Sequence, residues 1–282
     1  MPTLAGEATA PPVATNREER MSYPSAPRRV YQIDVVDQVG RAYRAVFDRA
    51  QLVGEMALLP FLIVLAITVG VRLFFGAVTI AAVMMGPVGI VALASLIISA
   101  IFNPIAVMLV FSVFIVRWHR FVLLGESVGA GPIPPGWTDF VIAGVKLGAI
   151  VFIGWIVLAL LALLPPHLLT VPLAGIGGVA LGLGALRTSL IFPAAAIEQP
   201  LTLQTAWGWI EGNFWRLFAA AFGCYLPFVI LQMLINAVAS IFPSITWIVF
   251  EALRLAASFV GAAVVAALLS HIYRDLADTG VP

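Results

Sequence analysis

LFFGAVTIAAVMMGPVGIVALASLIISAIFNPIAVMLVFSVFIV, residues 73 to 116, contains no charged side chain. An apolar run of about 18 residues or more reads as a membrane span, because about 20 residues of helix cross a hydrocarbon layer roughly 30 Å thick. Comparable runs recur along the chain, at about 55–75, 91–116, 140–163, 169–191, 214–238 and 250–272. The expected fold is therefore all-α, a polytopic transmembrane helical bundle of six spans in three hairpins, with interfacial amphipathic helices. Composition agrees. Hydrophobic residues make up 62%, charged residues 10%, and the mean hydropathy is +1.06, far from the roughly 25% charge of a soluble domain.

Charge placement orients the spans. With the amino terminus cytoplasmic, the inner side holds seven arginines ahead of the first span, then Arg117, Arg120, Lys146, Arg187, Arg216 and Arg274. Only Arg72 and Arg254 fall outside. Such a bias sets orientation in short loops. A seven-span alternative divides the long run near Asn103 and Pro104 and splits the fifteen cations eight against seven, which argues against it. Residues 77–90, with Gly86, Pro87 and Gly89, then read as an outer loop or re-entrant segment.

Both termini are expected on the cytoplasmic side of the membrane. Residues 1–30, rich in Pro, Ala and charge, lack the apolar core of a signal peptide and read as a disordered cytoplasmic tail. Residues 31–276 form the six-helix domain, and 277–282 a short cytoplasmic tail. Two surface helices are expected. At about 33–52, Ile33, Val36, Val39, Tyr43, Val46, Phe47 and Ala50 recur at helical spacing, with Asp37–Arg41 and Arg44–Asp48 on the wet face. At 202–213, Leu203, Ala206, Trp207, Ile210 and Phe214 do the same, ended by Gly212 and Asn213. Pro193 is expected to stop the fourth span. Trp118, Trp137, Trp207, Trp209 and Trp215 fall at inner interfaces and Trp247 at the outer one.

The chemistry-bearing residues are few. No HExxH, GxxxxGK, GxSxG or cysteine pair occurs, and His119, His167 and His271 fall on both sides of the membrane. No catalytic, cofactor or metal residue is assigned, and the chain is not expected to be an enzyme or to bind nucleic acid. Arg117, Arg120, Arg187 and Arg216 share the inner face with Glu198 and Glu211. They serve either as staples between loops and helix ends or as contacts for an anionic lipid headgroup. Asn103, Gln232 and Asn236 are the intramembrane polar candidates, through interhelical hydrogen bonds or as a pocket. Gly178 and Gly182 give a GxxxG spacing that suits close packing, in a central helix of one chain or at a homodimer face. LLPFLIVL (58–65) and YLPFVILQ (225–232) hint at an internal repeat.

RWHRFVLLGE (117–126), RTSLIFPAAAIEQPLTLQTAWGWIEGNFWRLF (187–218) and SHIYRDL (270–276) together resemble a bacterial family of six-span inner-membrane proteins. It comprises the YciC-like proteins and the membrane domain fused to some glycerophosphodiester phosphodiesterases. The resemblance implies a fold and a location, over about Ile33 to Leu276, with no activity. The fused enzymes' catalytic domain is lacking. Two roles from different classes follow. One is a non-enzymatic membrane organiser or accessory factor whose partners are membrane lipids and other envelope proteins. The alternative is a transporter or lipid-handling protein with a pocket around Asn103, Gly182 and Gln232.

Overall fold

The computed structural model describes residues 32–85, 88–126, 131–163, 167–242 and 247–279, with the side chains of 79–85, 88–102 and 167–169 excepted. The tail expected at 1–30 lies outside the described residues. The fold is helical, with no strand among the described residues. Its elements are α1 (Val35–Phe47), α2 (Ala50–Met85), α3 (Val88–Leu124), α4 (Trp137–Ala162), α5 (His167–Arg187), α6 (Ile191–Ala196), α7 (Leu203–Trp209), α8 (Phe214–Ile241) and α9 (Trp247–Asp278). Six helices are long and apolar enough to cross a membrane: α2, α3, α4, α5, α8 and α9. The protein is a multi-pass membrane protein, and the spans pair in chain order as α2 with α3, α4 with α5, and α8 with α9.

Where an outer loop or re-entrant segment was expected at 77–90, residues 77–85 and 88–90 are helical, since α2 continues to Met85 and α3 begins at Val88, with 86 and 87 outside the described residues. Ala, Val and Ile carry the helices through, and backbone groups at membrane depth must be satisfied within the helix itself. At 1.5 Å per residue, the 36 residues of α2 reach about 54 Å, well beyond a ~30 Å hydrocarbon layer.

The central helix is α9. Half of its most apolar window is buried, and its run AASFVGAAVVAALLS (256–270) is built of small residues that let neighbouring backbones approach. Phe111 and Phe114 of α3 meet Phe259 of α9 at 4.6 and 5.1 Å between ring centres. Trp118 is not an interface residue. It is fully buried and donates its indole N–H to Ala263 O at 2.8 Å. The two LPF motifs use their phenylalanines alike, on opposite sides of α9. Phe61 packs edge-on against Phe259, and Phe228 lies where a Cβ on Gly261 would meet its ring at 2.9 Å.

The glycine-rich α5 is peripheral, since Thr170 is the only residue from Thr170 to Arg187 that is buried. It packs on α4. A Cβ on Gly178 would meet the Trp155 ring at 2.8 Å, one on Gly177 would collide with Leu158, and on α4 one at Gly154 would meet Leu181 at 2.7 Å. Gly182 faces open space. The close approach thus runs through Gly177 and Gly178 with a reciprocal Gly154, not through Gly178 and Gly182.

Helix α1 begins where the Asp34 carboxylate accepts from the Val36 and Asp37 amides, an N-cap. It docks on α9 and α8 with Gln38, Ala42, Ala45 and Val46, leaving Val36 83% and Phe47 57% exposed. The buried face is thus rotated from the most apolar one. The reason is Asp275 of α9, which accepts from Gln38 Nε2 at 2.6 Å and Arg41 Nη2 at 3.0 Å, while Ala42 and Ala45 permit contact. Tyr43 adds a hydrogen bond to Cys224 O.

At its C-terminal end α5 stops at Arg187, and Pro193 does not end it. Pro193 is the third residue of α6, where its missing N–H belongs to the turn that has no intrahelical partner anyway. Thr202 caps α7 by accepting from Thr205 N, and α7 ends at Trp209, short of the expected Asn213.

Candidate functional site

The hairpin α4–α5 stands off from the rest of the bundle. Helix α4 packs on α5, α6 and α3 but makes little contact with α8 or α9. Its N-terminal end is fixed by Gly136, whose left-handed φ of 74° would suit few other residues. A Cβ there would lie 2.5 Å from Ala196 O and 2.9 Å from Ala195 O. The result is a partly open cavity of about 990 Å³, floored by α3 and α9 and walled by α4 on one side and α8 on the other.

Most of its lining is apolar, with Met108, Ile115, Leu147, Phe218, Val229 and Val265 as examples. Gln232 lines it, as anticipated for a pocket. Asn103 and Gly182 do not. Gln232 Nε2 donates to Arg254 O at 2.8 Å and Ser258 Oγ at 3.0 Å, and Asn236 Oδ1 accepts from Arg254 at 3.0 Å. These two residues therefore tie α8 to α9. Arg254 also pairs with Glu251, while Arg72 stacks on Trp247 at 4.6 Å.

Three further polar side chains, Ser112, Ser189 and His119, line the cavity. Ser112 Oγ donates to Leu109 O and accepts from Trp137 Nε1 at 2.8 Å, joining α3 to the start of α4. Ser189 Oγ donates to Leu186 O. His119, 1% exposed, lies with its Nδ1 2.7 Å from Ser270 Oγ, and its ring sits 6.1 Å from Phe140. Sequence reasoning set His119 aside because the three histidines, placed on both sides of the membrane, could not share one metal ion. The signal that could have found it is Ser270, small and polar, directly after the apolar run 259–269 of α9.

The four arginines do not converge on this cavity. Arg117 donates to Gly131 O at 2.6 Å and to Pro132 O. Arg120 is 8% exposed, binds both carboxylate oxygens of Glu126 at 2.7 Å and donates to Ala196 O at 3.0 Å. Arg187 stacks over the Trp207 ring at 4.2 Å and donates to Trp207 O. Arg216 donates to Ile33 O at 3.1 Å and to Gln32. Each guanidinium joins two segments, mainly through backbone carbonyls. Glu126, rather than Glu198 or Glu211, takes the ion pair. The hydrogen bond from Arg120 holds the Glu126 carboxyl below its ordinary pKa. Lys146, the tenth residue of α4, is exposed there, and its long stem can carry the ammonium toward the interface.

No protein-family model, curated protein or solved structure matches the chain.

Proposed function

We propose that this membrane protein is a non-enzymatic lipid-handling protein that takes the apolar chain of a membrane lipid between α4 and α8. Its setting is a bacterial inner membrane, with both termini cytoplasmic. The carrying observation is the cavity. Its volume of about 990 Å³ is at the upper end for ligand pockets, roughly 300–1,000 Å³. Apolar cavities stay dry and take apolar guests, and a cleft open at span depth offers itself to acyl chains. The four arginines, already engaged with backbone carbonyls, argue against an anionic headgroup cluster as the basis of binding. The likeness to YciC-like proteins in the segments 117–126, 187–218 and 270–276 supports the same location. An organiser role draws support from the length of α2 and α3, which leaves helix beyond the bilayer for a partner.

Gly148 lines the cavity and a Cβ there meets nothing within 4 Å, so Gly148→Leu fills space without a clash. Native mass spectrometry of the full chain in mild detergent should find lipid retained by the wild type and lost from Gly148→Leu. Equal retention in both would sink the proposal.

A further inference from the structure

We infer that the cavity's lipid carries a neutral hydroxyl head, held at the inner end by Nε2 of His119; this deepens the lipid-handling reading and rests on it. The inference comes from a count of donors and acceptors. Ser270 Oγ lies 2.8 Å from Ala266 O and 2.7 Å from His119 Nδ1. A carbonyl only accepts, so both contacts are hydrogen bonds only if the serine proton goes to Ala266 O and Nδ1 carries its own proton. In the neutral ring, Nε2 is then an acceptor, and among the described residues no protein donor bonds to it.

The other lining groups follow the same pattern. The hydroxyl protons of Ser112, Ser189 and Ser258 go to Leu109 O, Leu186 O and Arg254 O. Both Gln232 amide protons are committed, and the contact with Arg254 O fixes which end of the amide is nitrogen. What remains around the cavity is lone pairs. The exception is the Tyr225 hydroxyl, on a residue 56% exposed.

A carboxylate or phosphate brought into such a site finds no donor at the His119 end, and its desolvation goes uncompensated. An ammonium would donate, but among the described residues no acidic side chain lines the cavity to balance its charge. An uncharged hydroxyl meets Nε2 as a donor. Geometry suits a chain behind it. Ser270, beside His119, and Ser258, beside Gln232, are twelve residues apart on α9, or about 18 Å. That exceeds the roughly 15 Å of one leaflet's hydrocarbon. The occupant is therefore a long-chain alcohol or acylglycerol, head inward and tail toward Gln232.

The experiment offers the full chain, in mild detergent, 1-monooleoylglycerol, oleate and oleylamine at equal concentration and reads retention by native mass spectrometry. The acylglycerol should be retained about tenfold over either charged probe. His119→Phe, which keeps the ring and removes the acceptor, should lower its retention about fivefold while leaving the charged probes unchanged. Head selectivity in the wild type is a readout that needs no variant to fold. If all three probes bind alike and are displaced alike by Gly148→Leu, or His119→Phe changes nothing, the head assignment is wrong while the lipid-binding reading stands. If no probe binds, or Gly148→Leu is without effect on any, the lipid-binding reading itself falls.

Discussion

Gly136→Ala should loosen the hinge that holds α4 away from α8. Two penalties act at this position. A left-handed conformation costs a residue with a Cβ about 1–2 kcal/mol. The new methyl would also sit 2.5 Å from Ala196 O and 2.9 Å from Ala195 O. Those carbonyls belong to the end of α6, where Ala195 is 1% and Ala196 0% exposed, and Ala196 O also accepts from Arg120. They have no room to retreat, and overpacking of this kind costs about 1–3 kcal/mol. Restricting the unfolded chain returns about 0.4–1 kcal/mol. The net loss is about 1–4.5 kcal/mol. Gly125→Ala is the internal control, because Gly125 has φ 69° but nothing within 4 Å of its Cβ, so only the first penalty and its offset apply and the loss stays near 1 kcal/mol. Unfolding would be followed by circular dichroism while sodium dodecyl sulfate is titrated into dodecylmaltoside micelles. If the two variants lose stability within about 0.5 kcal/mol of each other, the contact between Gly136 and α6 does not anchor α4, and the account of how the cavity stays open fails.

Asp275→Ala removes the acceptor shared by Gln38 and Arg41. It should cost about 1.5–3 kcal/mol and free α1, seen as faster tryptic cleavage at Arg41, Arg44 and Arg49; an unchanged digestion rate would count against this docking. Glu126 has its pKa lowered from 4.5 by the Arg120 hydrogen bond. The stability it contributes is therefore fully present above about pH 4.5 and lost as pH falls through the lowered folded value. With a side chain 45% exposed, the effect is under about 1 kcal/mol after screening, and Glu126→Gln should flatten the acid limb of a stability-against-pH curve. For orientation, Ser240→Cys in intact cells should react with a membrane-impermeant maleimide, whereas Thr279→Cys should react only after permeabilisation; the reverse pattern would invert the topology.

The span count was legible from local composition because lipid imposes a local rule. Every backbone group at membrane depth must be bonded within its own helix, so length and apolarity alone mark a crossing. The pair Asp37–Arg41, four residues apart on one helix face and joined at 2.7 Å, was legible for a similar reason. The interior arrangement was not. In a soluble helix the apolar stripe points to the core, but a span is apolar all round, so its periodicity does not say which side meets protein and which meets lipid. Trp118 therefore read as an interface ring although it is core, α5 with its glycines read as central although the alanines of α9 hold the centre, and α1 docks by Gln38 rather than by Val36. The cavity arises between helices far apart in sequence. His119 and Ser270 meet across 151 residues, and Gly136 meets Ala196 only because α6 folds under α4. The sequence by itself determined a six-span helical membrane protein, since solvent and backbone chemistry leave no other use for such segments. Tertiary packing decided which helix is buried, where the bundle parts, and which polar atoms are left to face the gap, because those depend on the shapes of side chains that only folding brings together.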